Sequence, residues 1–189
     1  MEEKYYHSKE SVEEYVRLAK GVNGQEHINE LFKFLNNGSS LLELGSGPGK
    51  DWEILSKKYK VTGSDFSLEF IDYLKAKYPK HNFLHLDASK LNTDLVSDGI
   101  YSNKVLHHLN ESELKQSVEK QASLLNPKGI VYHTFWRGKG DEEFKGMYVK
   151  YHEKEDLIKL FERHFNILQI ELYKEFEESD SIRIISEKK

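Results

Sequence analysis

Cysteine is missing from all 189 residues, which excludes a disulfide framework, thiolate metal sites and a cysteine nucleophile. Proline occurs only at Pro48, Pro79 and Pro127, each at an expected element boundary. There is no internal repeat and no low-complexity linker. No apolar run approaches the roughly 20 residues that span a bilayer, and the opening Met-Glu-Glu-Lys-Tyr-Tyr-His lacks the apolar core of a signal peptide. Neither sign of charge dominates: 28 basic and 32 acidic residues are interspersed, for a net charge of −4. Nucleic-acid binding driven by counterion release therefore has no support. Together these absences predict a soluble, cytoplasmic chain with no membrane partner.

What is present suits a globular domain. Hydrophobic residues make up 38% and aromatics 12%, enough large side chains to offset ordering entropy. A chain of this length buries roughly 70% of its unfolded surface in one core. Helices are expected over 11–19, with Ser11 as cap and Glu14 completing a capping box, and over 25–35, where Ile28, Leu31, Phe32 and Leu35 recur at helical spacing. From there short apolar strands alternate with helices: strands at 40–44, 60–63, 82–86, 99–102 and 129–135, helices at 50–59, 67–78 and 111–125. This alternation predicts a parallel sheet with helices on both faces. Right-handed crossovers then bring the ends of the first and fourth strands together at a topological switch point. Residues 136–152 form the longest stretch without periodicity. A helix over 153–164 and two strands over 166–173 and 181–186 complete the chain as a terminal antiparallel hairpin.

The strongest local signal is Leu41-Leu42-Glu43-Leu44-Gly45-Ser46-Gly47-Pro48-Gly49, which follows a strand and opens a helix. Its glycines let the backbone approach a ligand without Cβ interference. The helix N-terminus offers free N–H groups to a carboxylate or phosphate. A dinucleotide-binding Gly-x-Gly-x-x-Gly loop would need a third glycine at position 50, where this chain has Lys50. Twenty residues past Gly45, Asp65 closes the second strand, where an acidic side chain can accept from both hydroxyls of a ribose. It would equally serve the start of the helix capped by Ser67.

The form Glu-x-Gly-x-Gly-x-Gly resembles motif I of class I S-adenosylmethionine-dependent methyltransferases. Four further segments carry the resemblance in the same order: Asp65-Phe66, Leu86-Asp87-Ala88, Ile100 to Leu109 with Asn103 and His107-His108, and Leu125-Asn126-Pro127-Lys128-Gly129. The resemblance implies a Rossmann-like α/β fold, a seven-stranded, mostly parallel sheet in the order 3-2-1-4-5-7-6 whose last strand is antiparallel. It implies S-adenosyl-L-methionine as cofactor, wrapped by Gly45, Ser46, Gly47 and Gly49, with Glu43 anchoring its ammonium end. Asp65 would hold the ribose, Phe66 would lie against adenine, Asp87 would accept from the adenine amino group, and the Ala88 N–H would donate to the ring. Asn103 would lie beside the cofactor. One domain over 1–189 is expected, with an N-terminal lid and helix at 1–24, a cofactor-binding half at 25–135 and a substrate-side segment at 136–189.

The methyl acceptor is less legible. Methyl transfer from a sulfonium needs alignment and dryness more than a fixed catalytic residue. His107 and His133 are the candidate bases, since neighbouring fourth and fifth strands could bring them and His108 into one pocket. Tyr5 and Tyr6 in the expected lid, and Trp136 and Tyr148 after the fifth strand, join His107 as candidate acceptor contacts. No two histidines have zinc-binding i, i+4 spacing, so no metal is expected. A small-molecule acceptor is the primary expectation, with the oligomeric state open. An RNA or protein side chain as acceptor, or a non-catalytic cofactor-binding module, stand as alternatives.

Overall fold

A computed structural model describes residues 24–144 and 146–189, together with 12, 14 and 17. Tyr5, Tyr6, Tyr15 and the capping residue Ser11 lie outside the described residues. The first fully described helix, α1 (Gln25–Leu31), stops four residues before the expected 35. Beyond it, bonds from Lys33 N to Glu30 O and from Phe34 N to Leu31 O tighten the chain into i→i+3 turns.

Strand β1 (Ser40–Leu44) pairs in parallel with β2 (Lys60–Asp65) and with β4 (Ser97–Asn103). Strand β3 (Phe83–His85) lies outside β2 and β5 (Leu125–Trp136) outside β4. The sheet order is β3-β2-β1-β4-β5-β9-β8, with β8 (Phe165–Tyr173) and β9 (Ser181–Lys188) forming the terminal hairpin. Strand β9 is antiparallel to both its neighbours. Counting only strands of this sheet, the order is the expected 3-2-1-4-5-7-6.

Helices cover both faces because β1 and its neighbours are apolar on both sides. Leu41 faces a core with Ile28 and Leu31 of α1, Trp52 and Leu55 of α2 (Lys50–Leu55), and Ile71 and Leu74 of α3 (Leu68–Lys77). Leu42 and Leu44 face the opposite core with Leu114 and Val118 of α4 (Glu111–Ser123). Leu157 and Phe161 of α5 (Lys154–Phe161) complete that side. Ser67 caps α3 by accepting from Phe70 N at 3.2 Å. At α4 the Asn110 and Glu113 side chains form a reciprocal capping box.

Two expected boundaries shift for local reasons. Helix α4 ends at Ser123, and Leu125 instead pairs with Ser97, which moves it from the helix into β5. The aperiodic segment 136–152 contains a separate hairpin, β6 (Asp141–Phe144) and β7 (Met147–Lys150). Its first strand is acidic rather than alternating, so it carries no apolar period to read.

Leu42 is fully buried in the central strand. Leu42→Ala should therefore cost about 3 kcal/mol through lost transfer energy and the residual cavity, read as a lowered midpoint in urea denaturation.

Candidate active site

Four strand ends meet at one rim, and between them lies a cavity of about 440 Å³. Gly45 and Gly47 reach it from the β1–α2 loop, Asp65 and Phe66 from β2, Asp87 and Ala88 from β3, and Asn103 and Lys104 from β4. This is the crevice at a topological switch point, where helices leave neighbouring strands toward opposite faces.

The loop is braced from below. Gly45 turns at φ 68, with Val105 pressed against the place a Cβ would occupy. Glu43 is buried beneath the loop, accepting from Ser46 Oγ at 2.5 Å, while Ser46 Oγ accepts from Ser64 N at 3.1 Å. Burial, and then the Asp51 carboxylate, push the Glu43 carboxyl up to about 8. Glu43, Ser46 and Gly49 thus support the loop and do not line the cavity.

Asp65 both faces the cavity and ties the rim together. Its Oδ2 accepts from Gly47 N at 2.8 Å and its Oδ1 from Ser67 N at 2.9 Å. Burial raises its carboxyl above the ordinary value, against the pull of these N–H donors. The Phe66 ring beside it is 42% exposed, a large apolar surface at a cavity edge. Asp87 accepts from Ser89 N at 2.9 Å, from Ser89 Oγ at 2.6 Å and from Lys90 Nζ at 3.0 Å. Burial opposes ionisation there, but the Ser89 and Lys90 donors override it and hold the carboxyl below its usual range.

After β4 the side chains form a linked network. Asn103 Nδ2 donates to Asp51 Oδ2 at 3.1 Å, and its Oδ1 accepts from Thr134 Oγ1 at 2.7 Å. Asp51 also accepts from Tyr101 OH at 2.7 Å and from Gly24 N at 2.6 Å, joining the chain before α1 to the sheet. In the sequence Asp51 reads only as an acidic residue in a helix's first turn. Lys104, in the left-handed region at φ 54, was also unsignalled. Its Nζ donates to Phe135 O at 3.0 Å and Ser181 Oγ at 2.7 Å, and stands 3.3 Å from the centroid of the Trp136 ring. Burial draws its ammonium down to about 7, against the opposing carboxylates of Glu175 and Asp180.

The histidines do not converge. His133 is enclosed on the α4 side of the sheet, Nδ1 accepting from Ser102 Oγ and Nε2 donating to Gln121 Oε1, both at 2.8 Å. Burial holds it down to about 3. Strand alternation is the reason: Asn103 and Thr134 point to one face, so Ser102 and His133 point to the other. His107 is buried next to His108, ring centroids 4.1 Å apart, and lies outside the cavity lining. Burial, with His108 next, pushes its imidazole well below the usual histidine value. His108 does line the cavity, and its Nδ1 donates to Tyr148 O at 2.8 Å. Tyr148 lines it too, whereas Trp136 is stacked on Phe176 at 5.8 Å, away from the lining. No group of His, Asp and Glu among the described residues could hold a metal ion.

Residues 41–129 match the family model described as a methyltransferase domain. That span begins inside β1 and includes every strand end at the rim except that of β5. Those residues carry a methyltransferase domain, and together with the fold they support a class I S-adenosylmethionine-dependent methyltransferase.

The methyltransferase domain resembles a trans-aconitate 2-methyltransferase of Rhodopseudomonas palustris (strain BisA53), 25% identical over 52% of this chain and 39% of that protein. The chain thus spans about two fifths of that relative's length. Among solved structures, a TehB-like methyltransferase from Corynebacterium glutamicum superposes with a TM-score of 0.76 at 19% identity, covering 96% of this chain and 100% of that one. A 1,6-didemethyltoxoflavin-N1-methyltransferase from Burkholderia thailandensis, solved with bound 1,6-didemethyltoxoflavin and S-adenosylhomocysteine, gives 0.74 at 16% identity, covering 100% and 92%. At these identities the superpositions speak for the fold.

Two titrations check the electrostatics. The chain has two tryptophans, so a Trp52→Phe variant reports Trp136 alone. Its fluorescence should change with a midpoint near pH 7 as Lys104 loses its proton, and Lys104→Met in the same background should abolish the step. His133, held at about 3 in the fold against an unfolded value near 6.5, is neutral when folded but protonates when unfolded. Urea-denaturation stability should be unaffected by it above pH 6.5 and fall as pH drops below, by up to about 1.4 kcal/mol per pH unit from this residue.

Proposed function

We propose that this chain transfers a methyl group from S-adenosylmethionine to a small-molecule acceptor. One observation carries the reading: the glycine loop, Asp65, Asp87 and Asn103, expected separately from the sequence, border a single cavity. The residues fit the cofactor. Gly45 and Gly47 present backbone without a Cβ to the cavity, so its methionine end can approach closely. Asp65 keeps lone pairs for two ribose hydroxyls while its N–H partners fix its orientation. Phe66 offers an exposed face to adenine, with Asp87 and the Ala88 N–H at the ring's polar edge. A cofactor ammonium above the loop would favour ionisation of Glu43, whose carboxyl burial otherwise raises to about 8.

The bound cofactor would supply an activated methyl on a sulfonium, so the chain's task is alignment and exclusion of water. Asn103 is held rigid by Asp51 and Thr134, and Lys104 fixes the next residue against β5 and β9. The acceptor belongs beyond these two residues, at the ends of β4 and β5. No histidine base enters this reading, because His133 has both ring nitrogens engaged in the core and His107 is buried outside the cavity. A small acceptor accords with the activity named for the trans-aconitate relative and with the 1,6-didemethyltoxoflavin bound in the Burkholderia thailandensis structure.

Calorimetric titration with S-adenosylmethionine tests the cofactor, and no binding at millimolar cofactor would overturn it. Methyl-labelled cofactor incubated with fractionated cell extract tests the acceptor class. Label entering only RNA or protein would overturn the small-molecule assignment. Within the site, Asp65→Ala should weaken S-adenosylhomocysteine binding by about 1–3 kcal/mol, through lost ribose bonds and a released Gly47 N–H. Unchanged affinity in calorimetry would remove Asp65 from the ribose role.

A further inference from the structure

The β6–β7 hairpin leaves the sheet after Trp136 and returns at His152. Its base is closed by bonds from Gly138 N to His152 O, from His152 N to Trp136 O and from Tyr151 N to Gly140 O. Its tip turns at Gly146, φ 73, a left-handed conformation that suits a tight hairpin. Within the hairpin the Tyr148 hydroxyl donates to Asp141 Oδ2 at 3.1 Å, which fixes the ring to the opposite strand.

The direction in which this tip points is informative. The β7 backbone faces the 3₁₀ turn Leu106–His108, and His108 Nδ1 donates to Tyr148 O. Tyr148 shares the cavity lining with Glu113 of the first turn of α4. Leu109, just before α4, packs against the core cluster that also holds Leu86 and Leu91, and both Leu86 and Leu109 line the cavity. Gly146, Met147 and Tyr148 line the same cavity as Leu109 and the post-β3 residues Asp87 and Ala88. Lys104 also reaches the cavity, but its ammonium is held with Trp136 and Ser181 around the end of β5.

We propose that the tip of the β6–β7 hairpin roofs the adenine half of the cofactor site, with Met147 and Tyr148 covering the purine and His108 latching the hairpin down. This rests on the cofactor reading above and assigns these residues to the cofactor in place of the methyl acceptor. The chemistry suits a neutral, polarizable heterocycle: the Phe66 ring borders the cavity, and a thioether and a phenol ring complete its lining. An adenine so enclosed gains apolar burial that an open rim would not provide.

Met147→Asp and Tyr148→Ala test this by calorimetry, with S-adenosylhomocysteine and with adenosine as probes. Both changes lie in an excursion from the main sheet, so the ligand-free melting temperature should hold. Each variant should bind both probes about tenfold more weakly, the loss expected when a buried apolar contact with the purine is removed. Unchanged affinity for both probes in both variants would overturn the inference. Weakened S-adenosylhomocysteine binding with unchanged adenosine binding would overturn it too, because the contact would then lie on the amino-acid half. Failure of the wild-type chain to bind S-adenosylhomocysteine would instead strike the cofactor reading.

Discussion

Strand β1 is hydrogen-bonded in parallel to β2 on one side and to β4 on the other, and the site depends on that double pairing. Parallel neighbours end at the same rim, so the segments after all three strands are delivered to one edge of the sheet. The chain then leaves β1 toward the α1–α3 core and leaves β4 toward the α4–α5 core, which opens a crevice between them. Gly45, Asp65 and Asn103 are distant in sequence yet border one cavity for this reason. An antiparallel partner at either position would send one of these segments to the far end of the sheet.

Two half-buried ionisable side chains hold that rim in shape. Asp51 is satisfied by Gly24 N, Tyr101 OH and Asn103 Nδ2, and Lys104 by a carbonyl, a hydroxyl and the face of Trp136. A charge withdrawn from water is costly unless its hydrogen-bonding capacity is met. Each therefore demands a particular arrangement of partners from several elements. Asp51 ties α2, β4 and the entry to α1 together, and Lys104 ties the β4 exit to β5 and β9. Asn103 and its neighbour Thr134 stand between the two, so the post-β4 segment has little freedom to move.

The fold and the residues that border the cavity were legible in the sequence because both rest on short-range signals. Alternating apolar strands and helices imply a parallel sheet, and the spacing from Gly45 to Asp65 spans one strand–helix–strand unit. Asp87 and Asn103 were readable as residues that follow strands. Boundaries were less so: Leu125 continues the helical stripe of Leu114 and Val118 but is claimed by pairing with Ser97. The β6–β7 hairpin was illegible because Asp141, Glu142 and Glu143 show no alternation.

Local chemistry thus determined which residues could meet a nucleotide-like ligand: glycines that free the backbone, and carboxylates placed just past buried strands. Tertiary structure alone decided which histidine faces what. His107, His108 and His133 are equivalent as titratable side chains, but the two-residue period of β5 turns His133 into the α4 core. The tight turn after Lys104 buries His107 and leaves only His108 on the cavity. The partners of Asp51 and Lys104 come from as far as Tyr101 and Ser181. No local pattern encodes them, because a half-buried charge is satisfied by whatever groups the completed fold brings within reach.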